Sequence, residues 1–392
     1  MRFIIVFALF IIQIASQAKV WESTRPWTLQ DLEQYSIWIE DIVDKDIFSN
    51  PSSPYYGIKT DCADAVFALV IIYSFENGLY YDAKFSGVII DNKTSKFDDF
   101  QDSEKLKTFI EYIGSSGGTY ALAKYNSSSF KLKNLRAGDI YISSSEKSNH
   151  AAIVKSILPT GHLRLYSSTT PALVRPLAET EGHPSHLTTD APWGFKRPMP
   201  YHLISAFELT EDHSLEQYQL VLKLKDKFFS YVTDQLATEQ DTIAKSINRR
   251  IGNICKMINA RKFAVDTALE KIQERGGKCL TGGQIDLYST PTRDGNIKIA
   301  FYRLMNGWKK IRKMTPDLDS NDLITLEYIL GKNTSVQARN TTYQQCPILI
   351  QGNPLTLRDY FLAIYNSTLS SHPNHDELSR WGMARPYSTC QN

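Results

Sequence analysis

Apolar and polar residues alternate in two different ways along the chain. In the front part, apolar residues recur at helical spacing after Thr28, and a nearly unbroken apolar run follows Cys62. This run predicts a buried helix that ends at Asn77-Gly78, a pair typical of a helix C-terminus. Runs rich in β-branched and aromatic residues predict strands at 139–143, 150–158, 163–168 and 193–198.

From about residue 210 the pattern becomes helical. Ser214 and Gln217 are spaced as a capping box, and helical spacing then continues to Gly276-Gly277. Further helices are predicted at 320–330 and 355–370. We therefore expect two domains, an α+β domain at 19–210 and a mainly α-helical domain at 211–392.

The first eighteen residues have the pattern of a secretory signal peptide. Arg2 precedes an apolar stretch, and small residues follow it up to Ala18, where we expect cleavage. The protein is accordingly predicted to be secreted or periplasmic. No other apolar run approaches the roughly 20 residues that a spanning helix needs, so we expect no membrane span.

Composition narrows the classes of partner. The formal net charge is only +2, with Lys and Arg mixed among Asp and Glu, which argues against nucleic acid as a partner. His183 with His186, and His372 with His375, form two similar pairs. Because a proline lies within each pair, helical metal-ligand geometry is precluded, and we predict surface loops and no metal site.

The five cysteines divide unevenly between the two parts. Cys62 is alone in the front part, whereas Cys255, Cys279, Cys346 and Cys390 lie in the back part. In an exported protein this distribution favours two disulfides in the helical domain and a free thiol at Cys62. Four cysteines allow three pairings, of which proximity in sequence favours Cys255 with Cys279 and Cys346 with Cys390.

Cys62 has the features of a nucleophile. It lies at the predicted start of a helix, where backbone N–H groups and the helix dipole favour the thiolate. His150 lies at the start of a later strand. A cysteine at a helix start followed by a histidine at a strand start is the order of nucleophile and base in papain-like hydrolases.

Three local motifs resemble those of NlpC-type cell-wall peptidases. They are Pro54-Tyr-Tyr-Gly57 before Asp61-Cys62, the sequence LRAGD at 135–139, and the HAAIV sequence that begins at His150. The resemblance covers roughly residues 55–168. It implies a papain-like (NlpC-type) α+β fold, a peptidoglycan or cell-wall peptide substrate, and no metal or organic cofactor.

The same resemblance implies roles for three tyrosines. Tyr55 or Tyr56 falls where the family has a tyrosine near the oxyanion and substrate. Tyr166 falls where it has the third catalytic residue, which orients the histidine, with Ser167 next to it and His162 earlier.

Two other functional hypotheses stay open. The first is a Cys-His amidase or protease that acts on another substrate. The second is a catalytically inactive cell-wall-binding or scaffold protein on the same fold.

Overall fold

The computed structural model describes residues 19–145, 149–184, 186–210, 216–314, 320–388 and 390–391. The predicted signal peptide and Ser214 lie outside the described residues. The strands are β1 Arg25–Pro26, β2 Leu79–Tyr80, β3 Asp82–Phe85, β4 Val88–Asp91, β5 Ser127–Ser128, β6 Ile140–Ser144, β7 Asn149–Ile157, β8 Leu163–Ser167, β9 Ala178–Gly182, β10 Gly194–Pro198, β11 Ile348–Ile350 and β12 Asn353–Leu355.

Helices alternate with strands in the front part and make up most of the back part. They are α1 Leu29–Asp41, α2 Cys62–Glu76, α3 Asp102–Ser116, α4 Thr119–Tyr125, α5 Tyr201–Thr210, α6 Glu216–Leu224, α7 Phe228–Leu236, α8 Ile243–Glu274, α9 Gly283–Tyr288, α10 Pro291–Met314, α11 Ser320–Ile329, α12 Val336–Gln345, α13 Leu357–Tyr365 and α14 Glu377–Arg380. None of the described helices is long and apolar enough to cross a membrane.

A six-stranded sheet organises the front part, in the order β5-β10-β6-β7-β8-β9. All of its neighbouring strands run antiparallel. The helix α2 packs beside β7, and its residues from Ala65 to Ser74 are all buried. A helix that is apolar on every side is typical of a core, and α2 is accordingly enclosed by the sheet and the neighbouring helices.

Two hydrophobic cores divide the molecule, and they divide it later than expected. The first core runs from Val20 to Val232 and includes Phe228 and Phe229 of α7. The second begins at Ile247 in α8. The predicted boundary near residue 210 is therefore too early, because α6 and α7 pack on the sheet domain. Tyr141 of β6 contacts the ring of Phe229 across this interface.

The two disulfides join different cysteines from those favoured by proximity. Cys255 pairs with Cys346, and Cys279 pairs with Cys390. The physical reason is the length of α8, which carries Cys255 and continues for nineteen residues to Glu274. At about 1.5 Å per residue this helix places Cys255 roughly 28 Å from its own C-terminus, far beyond the Cα separation of about 6 Å that a disulfide spans.

The two parts meet where α8 crosses the edge strand β9. The side-chain amide of Asn253 accepts a hydrogen bond from the backbone N–H of Glu181 and donates one to its carbonyl. Lys256 also forms an ion pair with Glu179, with its ammonium 2.8 Å from the carboxylate. The helical part is thus held against the free edge of the sheet.

Candidate functional site

Cys62 is the first residue of α2, and its surroundings are set by the helix cap. The carboxylate of Asp61 accepts hydrogen bonds from the backbone N–H groups of Ala63 and Asp64. Asp64 reciprocates by accepting from the N–H of Asp61 at 3.0 Å, which completes a capping box. The cap fixes the helix start and holds two carboxylates beside the thiol.

These surroundings favour the protonated thiol. Burial raises the pKa of Cys62 to about 11, and the charges of Asp61 and Asp64 act in the same direction. The backbone N–H groups of Ala151 and Ala63 face the sulfur and lower the pKa, but burial outweighs them. The thiolate-favouring effect of the helix start is therefore outweighed by burial, which favours the protonated thiol at neutral pH.

His150 lies next to the backbone group that faces the thiol. It is the second residue of β7 and pairs with Ser143 of β6, while the N–H of the following residue, Ala151, faces Cys62. Burial lowers the pKa of His150, Asp61 raises it, and His186 lowers it further, so the imidazole is neutral at neutral pH. His150 thus directly precedes the residue whose backbone N–H faces the thiol, and no hydrogen bond joins the two side chains among the described residues.

Tyr166 lies on the wrong face of the sheet to orient His150. It pairs with Ile153, three positions after His150 along β7. Because side chains alternate between faces, Tyr166 and His150 point in opposite directions. The Tyr166 ring instead lies 5.8 Å from the Lys155 ammonium. Ser167, the next residue, lies on the face that His150 occupies.

Tyr55 is held at the far end of α2. Its hydroxyl donates a hydrogen bond of 2.5 Å to the carboxylate of Glu76, the last residue of that helix. Fourteen residues separate Glu76 from Cys62, or about 21 Å along the helix axis. The Tyr55 hydroxyl is therefore too far away to contact an oxyanion at Cys62. Tyr56 is half exposed, at 51 % of its surface, and makes no described side-chain hydrogen bond.

A cavity of about 360 Å³ opens beside His150, between the end of β8, strand β9 and the helices α8 and α10. The side chains of Ser167, Arg175 and Arg293 line it together with His150, and Phe263 supplies an apolar wall. Sequence reasoning missed Arg175 and Arg293, because they are far apart in the chain and neither belongs to a recognisable motif. Cys62 lies against the backbone N–H of Ala151, near the start of β7, and is not part of the cavity lining.

The two histidine pairs take part in local packing. His183 stacks on the ring of Phe229, with centroids 4.9 Å apart, and His375 shares a hydrogen bond with Ser370. Among the described residues, no group of three or more His, Cys, Asp and Glu side chains is arranged to hold a metal ion.

Comparison with known proteins adds no relative. No family model, no curated protein and no solved structure matches the chain.

Proposed function

We propose that the protein is a Cys-His hydrolase of amide bonds, with Cys62 as nucleophile and His150 as general base. The observation that carries the proposal is the position of Ala151, whose backbone N–H faces the Cys62 thiol while the preceding residue is His150. A helix start and a strand start thereby bring a thiol and an imidazole into one neighbourhood. Nucleophilic catalysis by cysteine requires a base that can reach the thiol, and the position of His150 beside Ala151 supports that role.

The protonation states define how the reaction begins. Both groups are neutral in the free protein, since burial raises the pKa of Cys62 and lowers that of His150. His150 accepts the thiol proton as the sulfur attacks the carbonyl carbon, and then returns it to the leaving amine. Water hydrolyses the resulting thioester. The thiol-to-imidazole contact forms when substrate is bound, as catalytic hydrogen bonds commonly tighten at that stage.

The start of α2 supplies the oxyanion donor in this proposal. Since the Tyr55 hydroxyl is bound to Glu76, we assign oxyanion stabilisation to the backbone N–H of Cys62 instead. One donor of this kind typically contributes about 10²- to 10³-fold in rate. Ser167 takes the orienting role first assigned to Tyr166, because it lies on the face of His150 and lines the same cavity.

The substrate follows from the motifs at 54–57, 135–139 and 150–154. Their similarity to NlpC-type peptidases supports a papain-like fold and a peptide bond in peptidoglycan stem peptides as the bond that is cleaved. The N-terminal signal pattern and the two disulfides support action in an oxidising compartment outside the cytoplasm.

Digestion of purified peptidoglycan tests the proposal, with products identified by mass spectrometry. We expect the wild-type protein to release stem-peptide fragments, and Cys62→Ala and His150→Gln each to reduce the rate by about a hundredfold or more. The matched control is His162→Gln, because His162 lies at the other end of β8, where it contacts Arg249. Unchanged release by folded Cys62→Ala would exclude Cys62 as nucleophile.

A second function, binding without catalysis, is favoured by one observation. The thiol whose pKa is raised to about 11 is a poor nucleophile, as expected of a structural cysteine in a former active site. In that case wild type and Cys62→Ala would bind sedimented peptidoglycan equally and release no fragments. Binding with release confined to wild type supports the hydrolase instead.

A further inference from the structure

Two arginines line the cavity beside His150, and no carboxylate among the described residues binds either of them. Arg175 follows β8, and Arg293 lies in the first turn of α10. Both line the cavity, and the positive charge of Arg293 lowers the pKa of Arg175. The two positive charges repel each other in this partly buried position, and an anion bound between them would offset that repulsion.

Arg175 is the more constrained of the two. Its side chain is only 6 % exposed, one terminal nitrogen donates to the carbonyl of Pro171, and the Nε atom is buried with no hydrogen-bond partner. Burial and the nearby Arg293 lower its pKa to about 10, so it remains a cation at neutral pH. A buried guanidinium donor with no acceptor is costly, and a bound ligand would supply that acceptor.

Arg293 makes no hydrogen bond or ion pair with any side chain that the structure describes. The nearest carboxylates are engaged elsewhere, since Asp294 binds Arg261 and Asp61 caps α2. Both act on the arginines only through space. The other charged residues of the lining are Lys45, Lys256 and Glu179, of which Lys256 and Glu179 form an ion pair. The cavity thus retains an excess of positive charge.

We propose that this cavity is a binding site for a small organic carboxylate, with Arg175 and Arg293 holding its carboxylate group. Planar guanidinium groups bind carboxylates through paired hydrogen bonds. The apolar wall formed by Phe263, Leu177 and Ala260 suits the carbon skeleton of an organic ligand better than an inorganic ion. The volume of about 360 Å³ suits one amino-acid or dicarboxylate unit.

This proposal goes beyond the proposed hydrolase and does not depend on it, because Cys62 has no part in the site. If the protein is a hydrolase, the carboxylate is that of the peptide substrate, bound next to His150. If the protein only binds, the same site selects the free acid end of its ligand.

Calorimetric titration tests the site without any turnover. The probe is N-acetyl-alanine, and its neutral amide is the comparison ligand, both titrated into Cys62→Ala so that hydrolysis is excluded. We expect binding of the acid, little binding of the amide, and affinity reduced about tenfold to a hundredfold by the further substitution Arg293→Gln. Arg339→Gln, at an exposed position of α12, is the matched control and should bind like the parent.

Three outcomes would overturn the proposal. They are equal affinity for acid and amide, binding of the acid that survives Arg293→Gln, and binding of inorganic phosphate with no binding of N-acetyl-alanine. Arg293→Lys separates charge from geometry, since it keeps the cation and removes the planar fork, and we expect intermediate affinity. Because Arg293 is only partly buried, its variants report on the site even if Arg175→Gln does not fold.

Discussion

The two halves of the molecule are stabilised in different ways. The front half encloses an antiparallel sheet and the apolar helix α2, and its only cysteine is unpaired. The back half is mainly helical and contains two disulfides, one between residues 91 positions apart and the other between residues 111 positions apart. The front half therefore depends on burial of apolar surface, whereas the back half adds covalent links between segments far apart in the chain.

Among the described residues, buried polar side-chain atoms without a hydrogen-bond partner are more numerous in the back half than in the front half. In the front half, Arg197 and Asp139 form a buried ion pair in which two guanidinium nitrogens bind both carboxylate oxygens, at 2.7 and 2.9 Å. In the back half, Arg380 and Trp381 bury nitrogen atoms that have no partner among the described residues. Each such atom costs about 1–3 kcal/mol. The front half also contains such atoms, among them Arg175 Nε, but more of them lie in the back half, where the two disulfides add stability.

Removing the disulfide between α8 and the end of α12 should have the largest effect. For Cys255→Ser with Cys346→Ser we expect a loss of about 4–5 kcal/mol in the free energy of unfolding of the back half, since a loop of this length loses much of its closure restraint. Hydrogen exchange read by mass spectrometry would show faster exchange in α8, α10 and α13. The control is Cys62→Ser, which removes no disulfide. Equal loss of hydrogen-exchange protection in both halves would contradict the view that this disulfide stabilises only the back half.

Breaking the buried ion pair should affect the front half next most strongly. Arg197→Met leaves the Asp139 carboxylate, which is 1 % exposed, without its guanidinium, and we expect destabilisation by about 3–5 kcal/mol. Chemical denaturation would measure it. The matched control is Arg164→Met, which removes a partly exposed pair with Glu181 and should cost less than about 1 kcal/mol. Similar losses in the two variants would show that burial of the pair does not matter.

The smallest effect concerns the unpaired thiol. With a pKa of about 11, Cys62 carries roughly one thiolate per ten thousand molecules at pH 7, so iodoacetamide should modify it far more slowly than a free thiol. The rate should keep rising to about pH 11. The pKa of the Cys62 thiol is higher in the folded than in the unfolded chain. Its contribution to the free energy of unfolding is therefore complete below pH 9 and is lost as the pH rises through 11.

Asp61→Asn sharpens that measurement. Asparagine keeps the N-cap of α2 but removes one of the two charges that, together with burial, raise the thiol pKa, so alkylation should speed up somewhat with little change in stability. A rate that reaches its plateau near pH 8.5 in the wild-type protein would show that the thiol is not buried as described.

Local elements could be predicted from the sequence, and their assembly could not. The start of α2 at Cys62 and its end before Gly78 follow from a capping residue, an apolar run and a glycine. Strands β6, β7 and β8 lie within one or two residues of their predicted positions, because they are joined by short connections and their residues are typical of strands.

The rest depends on long-range geometry that spacing does not encode. Proximity in sequence gave the wrong disulfides because it ignores that Cys255 lies inside a continuous helix of 32 residues. The motif position of Tyr55 did not show that its hydroxyl reaches Glu76. Arg175 and Arg293 lie on opposite sides of the boundary between the halves, so only the folded chain brings them together.

The contact of Asn253 with β9 has a consequence for association between molecules. The outer edge of a sheet presents unpaired N–H and C=O groups that can recruit a strand from another chain. At Glu181, the Asn253 amide occupies both of these groups as a neighbouring strand would. At this position the 32-residue helix α8 therefore takes the place of a strand from another chain on the β9 edge.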